Sequence, residues 1–262
     1  MTKPSPPHRS PGSGAITTLA SLLGLAVPGG LLCAQVANAP LAPALSASGV
    51  LARPPSPDEH WALAFKDFDR ADAAHPVLPG GVVFVGSSSI RLWSDMARQF
   101  TGWPTIVNRG FGGSELADCA RHVQRLVSLY QPRLVLVYAG DNDLAAGRLP
   151  QQVLESFQSF VDGVRERQPG LPVVFISIKP SPSRAKLMPS VREANRLIRA
   201  YTATGKNLYF VDVFTPMLGP DGEPRAELFR PDALHLSPAG YALWQSVIVK
   251  SLPPDLLAAP KM

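Results

Sequence analysis

Beyond residue 80 the chain is punctuated by five short apolar runs: residues 82–85, 105–107, 134–138, 173–177 and 208–211. Each is apolar or β-branched throughout rather than alternating with polar residues, the pattern of strands buried on both faces of a parallel sheet. Between the runs the apolar residues recur at helical spacing. Leu116, Val123, Leu126 and Tyr130 predict one helix, and Val153, Phe157, Val161 and Val164 a second. Pro150 can open the second helix and Gly170 can follow its end. Ser237-Pro238 reads as an N-cap with proline in the first helical position, starting a last helix through Trp244 and Val247. The alternation predicts one α/β domain: a three-layer α/β/α doubly wound fold with a five-stranded parallel sheet. No internal repeat and no second domain is visible.

The first 57 residues follow a different pattern. Residues 1–14 are rich in Pro, Ser and Gly and carry Lys3, His8 and Arg9; a charge-free apolar run follows from Ala15 to Cys33, then Ala37-Asn38-Ala39. This layout predicts a signal peptide over residues 1–39 and export to the periplasm or medium. An uncleaved N-terminal anchor and a misassigned start codon are the alternatives, since Pro40 disfavours cleavage after Ala39. Residues 40–57 read as a Pro/Ala-rich linker, leaving 58–262 as the folded domain. The leader also changes the meaning of the charge. The chain carries 25 Lys and Arg against 20 Asp and Glu, net +5. Lys3, Arg9 and Arg53 precede the first acidic residue, Asp58, so the domain itself carries only +2. It has no basic run and no basic–aromatic interleaving, which predicts no nucleic-acid partner, and membrane contact only through the N-terminal segment. Two cysteines, Cys33 and Cys119, cannot by themselves make a disulfide framework or a zinc site. Cys119 falls on an inward helical position, as a small core residue would.

In doubly wound sheets, ligands gather beyond the carboxyl ends of the strands. There the sequence places Gly86-Ser87-Ser88-Ser89, Asn108-Arg109-Gly110-Phe111-Gly112-Gly113, Gly140-Asp141-Asn142-Asp143 and, before the last helix, Asp232-Ala233-Leu234-His235. Such a set supports acyl transfer by a serine. A hydroxyl is a weak nucleophile without a neighbouring base. His235 could be that base, with Asp232 one turn earlier fixing its tautomer. The oxyanion needs preorganised donors, and the serine N–H, a glycine N–H of the second loop and the Asn142 amide are available. No cofactor and no metal is called for. Each segment alone has a plainer reading: a βα turn, close strand–helix packing by the glycines, an Asx turn, or a polar surface pair. Their order at successive strand ends carries the weight.

With these segments in place the chain resembles the SGNH (GDSL-type) hydrolases, from about Val82 to the last helix. The resemblance implies a flavodoxin-like fold in the lysophospholipase- or acetylhydrolase-like branch. It implies Ser88 as nucleophile within Gly86-Ser87-Ser88. Gly113, closing Asn108-x-Gly110-x-x-Gly113, and Asn142, in Gly140-x-Asn142-Asp143, become oxyanion donors. Asp232 and His235 make the Asp-x-x-His block. The family's usual Gly-Asp-Ser departs here to Gly86-Ser87-Ser88. Ser87 and Ser89 flank the nucleophile, and on an extended stretch both point away from Ser88. Ile90 stands where a Gly-x-Ser-x-Gly elbow needs its second glycine, which argues against the α/β-hydrolase superfamily.

The implied reaction is hydrolysis of a small acyl ester, acetyl foremost, on a small-molecule, carbohydrate or lipid substrate. Acyl transfer to or deacetylation of a polysaccharide is the neighbouring reading. A non-catalytic glycan- or lipid-binding module, an anion cradle at Gly86–Ser89 and metal-assisted hydrolysis by Asp141, Asp143 and His235 are the other classes. Ser87, Arg109, Asp143 and Lys179 are candidate pocket residues. Their plainer readings are a βα loop or helix N-cap for the Ser87 segment, an exposed arginine, a carboxylate bracing its own loop and a solvated loop lysine. His60 and His122 have no recognisable partner in sequence and carry no functional weight. Oligomeric state is not legible.

Overall fold

The computed structural model describes residues 57–257. Residues 1–56, where the sequence predicts a signal peptide and a linker, and residues 258–262 lie outside them. The chain runs α1 (Pro57–Ala74), β1 (Val82–Gly86), α2 (Ser88–Arg91), α3 (Met96–Gln99), β2 (Ile106–Gly110), α4 (Leu116–Arg121), α5 (Val123–Leu126), β3 (Leu134–Tyr138), α6 (Asp141–Ala145), α7 (Pro150–Arg167), β4 (Val173–Ile176), α8 (Met188–Thr204), β5 (Leu208–Val211) and α9 (Pro238–Ser251). All strand pairs are parallel, in the order β2-β1-β3-β4-β5.

Alternation along the strands builds two cores. Val83, Val85, Val107, Val135, Val137, Val173 and Phe175 cluster with residues of α1, α4, α5, α7 and α8. Val82, Phe84, Leu134, Leu136, Val174 and Ile176 cluster with Ile90 of α2, Met96 of α3 and Trp244 and Ile248 of α9. Both faces of the sheet are therefore covered, as the unbroken apolar runs require. The helix ends also follow local chemistry. Pro150 opens α7, and Ser237 caps α9, its hydroxyl accepting from the Gly240 N–H at 3.2 Å with Pro238 in the first turn.

Three elements differ from the sequence expectation. The second strand continues through Gly110, so Arg109 lies within a strand, in register with Val85. The stripe from Leu116 to Tyr130 is not one helix: it breaks at His122 (φ −103°, ψ 16°) into α4 and α5, and ends in a 3-10 turn, Ser128–Tyr130. All four stripe residues still face the core, which is why periodicity alone did not show the break. Helix α1 was not foreseen, although Trp61, Phe65 and Phe68 recur at i, i+4 and i+7. Trp61 packs edge-to-face on Phe111, with ring centroids 4.8 Å apart. Among the described residues no helix is long and apolar enough to cross a membrane.

Candidate active site

The strand order reverses its direction of growth at β1, which sits between β2 and β3. The loops after these three strands open onto one cleft of about 520 Å³. Ser88, Gly113 and Asn142 line it with Leu234 and His235, and α1 supplies His60, Trp61, Leu63 and Ala64.

β1 ends at Gly86, whose φ of +147° and whose contact with the neighbouring strand both exclude a side chain: a Cβ would lie 1.9 Å from the Tyr138 carbonyl oxygen. The chain turns there directly into α2, with Ser88 its first residue. Asn108 ties this turn to β2, donating to the Ile90 carbonyl at 2.8 Å and accepting from the Gly110 N–H at 2.9 Å. Gly110 lets β2 approach closely, since a Cβ would meet the Arg91 backbone nitrogen at 2.2 Å.

His235 reaches the same place from the other end of the chain. Its segment folds back on itself: the Arg230 N–H donates to the His235 carbonyl at 2.7 Å, and Ala233 takes a left-handed φ of 54°. The His235 Nε2 lies 3.0 Å from the Ser88 Oγ, and its Nδ1 lies 2.6 Å from Asp232 Oδ2. The second carboxylate oxygen of Asp232 accepts the backbone N–H groups of Leu234 and His235 at 3.0 and 2.9 Å. The His235 ring, followed by these two N–H groups, holds the Asp232 carboxyl well below the usual carboxylate range. Hydroxyl, imidazole and carboxylate thus form one continuous hydrogen-bonded series, able to pass a proton from oxygen to ring nitrogen while the ring charge is balanced.

Asn142 begins at the left-handed Gly140 turn after β3. Its Nδ2 donates to the Ser114 carbonyl at 3.1 Å, and its Oδ1 accepts from Arg184 at 2.9 Å.

Residues 82–243 match the family model described as "GDSL-like Lipase/Acylhydrolase family". The chain belongs to this family. It is a carboxylic ester hydrolase, which replaces the non-catalytic module considered from sequence. The esterase is 31% identical over 173 residues to the platelet-activating factor acetylhydrolase IB subunit alpha1 of Homo sapiens, an alignment covering 61% of this chain and 70% of that one. Among solved structures it resembles a GDSL-like lipase from Bacteroides thetaiotaomicron (TM-score 0.60, 21% identity, 71% of this chain and 95% of that one). It also resembles a Clostridium thermocellum family 3 carbohydrate esterase (TM-score 0.52, 16% identity, 68% and 97%). At those identities the two structures speak to the fold alone.

Ser88, Gly113, Asn142 and His235 therefore meet at the esterase's cleft, with Asp232 behind His235. The four candidate pocket residues do not line it. Ser87 is fully buried, and its hydroxyl has no hydrogen-bond partner among the described residues. Ser89 is buried too, but within α2 and not on an extended stretch, so helical geometry rather than strand alternation separates it from Ser88. Arg109 is neither exposed nor in the cleft. It points to the α1 side of the sheet, paired with Asp72 and donating to the Tyr130 hydroxyl at 2.7 Å. It thereby anchors the helix that forms the cleft wall. Asp143 braces α4, both its oxygens accepting from the Leu116 N–H at 2.9 and 3.1 Å, and its own backbone N–H also favours its carboxylate. Burial pushes its carboxyl up to about 6. Lys179 is not a solvated lysine: it is 1% exposed and ion-paired at 2.7 Å with Asp141. Burial pushes the Lys179 ammonium below its ordinary range.

Asp141 is thus paired with Lys179, and Asp143 with the Leu116 N–H. Among the described residues no group of three or more His, Cys, Asp or Glu side chains is disposed to hold a metal ion. Sequence reasoning missed the α1 residues of the cleft, His60 included, and Arg184. The aromatic i, i+4, i+7 stripe could have revealed α1; no local pattern marks Arg184.

Proposed function

We propose that the chain is a serine esterase acting on a small acyl ester, with acetyl the preferred group. Ser88 Oγ attacks the ester carbonyl carbon while His235 Nε2 takes its proton, and Asp232 balances the imidazolium. The oxyanion is received by the N–H groups of Ser88 and Gly113 and the free amide N–H of Asn142. Collapse breaks the bond to the leaving alkoxide, which takes the proton from His235 and leaves the acyl group on Ser88. Water, deprotonated by His235, then attacks the acyl carbon, and the carboxylate departs as Ser88 recovers its proton. A positioned base contributes about 10²–10⁴-fold. Each oxyanion donor adds about 10²–10³-fold.

The observation that carries this reading is the unbroken series from Ser88 to His235 to Asp232, at 3.0 and 2.6 Å, opening on a cleft lined by Gly113 and Asn142. The human relative's name, an acetylhydrolase, supports acetyl as the group. The pattern of residues 1–39 supports export, which makes an O-acetylated extracellular polysaccharide, deacetylated or acyl-exchanged, the second reading.

The test is steady-state hydrolysis of p-nitrophenyl acetate, butyrate and longer esters, followed by acetylated sugars and lysophospholipids. The expected result is the highest kcat/KM on acetyl, lost in Ser88→Ala and His235→Ala. Activity unchanged in either variant overturns the mechanism, and a maximum on long chains overturns the acyl assignment.

A further inference from the structure

An amide side chain can serve an oxyanion only with its nitrogen toward the cleft, yet its two ends are nearly the same size. Contacts outside the cleft must therefore decide which end faces in. Asn142 has two such contacts of opposite kind. The Ser114 carbonyl accepts one Nδ2 hydrogen at 3.1 Å, and the Arg184 guanidinium donates to Oδ1 at 2.9 Å. A carbonyl can only accept and a guanidinium can only donate, so a flipped amide would lose both bonds. One Nδ2 hydrogen remains for the cleft.

Arg184 is itself held. Its Nη1 lies 3.2 Å from Asp141 Oδ2, the oxygen that also receives Lys179 Nζ at 2.7 Å. The same ammonium donates to the Tyr138 hydroxyl at 3.0 Å. The Asp141 and Lys179 side chains are 6% and 1% exposed, whereas Arg184 is 20% exposed and absent from the cleft lining. Burying an ion pair costs solvation, and well-packed apolar residues commonly serve stability as well. What this cluster adds is a guanidinium whose Nη1 sits beside the Asp141 carboxylate as an ion pair, without a hydrogen bond among the described residues, and whose Nη2 donates to Asn142. Donation to Oδ1 also polarises the amide and strengthens its remaining N–H as a donor. The Arg184 guanidinium, donating to Asn142 Oδ1, carries the sign of charge that favours an oxyanion.

We propose that Arg184, seated on the buried Asp141–Lys179 pair, is a positioning residue that sets the orientation of the Asn142 amide for the oxyanion. This rests on the reading of Asn142 as an oxyanion donor. It gives the loop after β4 a part in the reaction without contact with substrate.

The test is a double-mutant cycle on the full chain, reading kcat and KM for p-nitrophenyl acetate with Asn142→Ala, Arg184→Met and the pair. Asn142→Ala should lower kcat about 10²-fold. Arg184→Met should lower kcat about 5- to 30-fold at unchanged KM, and Arg184→Lys, which keeps one charged donor, should lose less. The double variant should match Asn142→Ala within about threefold, because an effect exerted through Asn142 vanishes without it. If Arg184→Met does not fold, judged by circular dichroism, Arg184→Lys completes the same cycle. Multiplying losses, a rise in KM alone, or no effect at Arg184 would overturn the inference while leaving Asn142 as a donor. An inactive contribution from Asn142→Ala would remove the donor reading itself, and the inference with it.

Discussion

Replacing Asp232 by Asn preserves nearly every atom of the site while reversing one hydrogen bond. The Asn Oδ1 can still accept the Leu234 and His235 N–H groups that Asp232 Oδ1 accepts at 3.0 and 2.9 Å. The turn therefore survives. The Asn Nδ2, however, would face His235 Nδ1 in place of the oxygen now 2.6 Å away. A donor there favours the tautomer with its proton on Nε2, and that nitrogen can no longer accept the Ser88 proton. The charge that balances the imidazolium is lost as well. Where a triad acid is deeply buried this change costs about 10⁴-fold in kcat. The Asp232 side chain is 48% exposed, so solvent already screens part of its charge. The expected loss is accordingly smaller, about 10²- to 10³-fold in kcat, or ~3–4 kcal/mol in the barrier. The assay is initial rates on p-nitrophenyl acetate, with urea unfolding to show that the midpoint is unchanged. A loss under about threefold, or a rise in KM at constant kcat, would refute the tautomer argument.

Two stability predictions follow from the same structure. Gly86→Ala forces a Cβ to within 1.9 Å of the Tyr138 carbonyl at a φ of +147°, and should destabilise the fold by roughly 3 kcal/mol or more. A urea midpoint indistinguishable from wild type would contradict it. Asp143 is an acid whose folded-state value, about 6, lies above its ordinary 3.8; the folded chain binds the proton more tightly than the unfolded chain does. Its contribution to stability is full below about pH 4 and is lost as pH rises through about 6. Asp143→Asn should therefore gain stability relative to wild type by on the order of 2 kcal/mol between pH 4 and pH 7. Urea melts across that range check this, and a difference independent of pH would be the opposing result.

Much of the fold was legible because its signals are local. The five runs are apolar throughout because both sheet faces are covered, and Ser237-Pro238 marks a helix start by capping chemistry alone. Ser88, Gly113, Asn142, Asp232 and His235 were legible because each follows a strand end or precedes a helix at the same edge of the sheet. What was not legible depends on partners distant in sequence. Arg109 reads as a loop arginine until Asp72, 37 residues earlier, and Tyr130 are brought beneath it. Lys179 reads as a solvated lysine until Asp141, 38 residues earlier, is placed against it. The break at His122 is silent in a stripe whose apolar residues all remain inside. The Arg184–Asn142 bond joins the segment after β4 to the first turn of α6, 42 residues apart, and no periodicity marks either residue.

The central claim is that the acyl group is carried by Ser88, and a covalent adduct tests it most directly. The chain would be labelled with a fluorophosphonate and digested, and the modified residue located by mass spectrometry. The account predicts one adduct, on Ser88, absent in Ser88→Ala and slowed in His235→Ala. An adduct on Ser87, Ser89 or any other residue, or full esterase activity without an adduct, would contradict it.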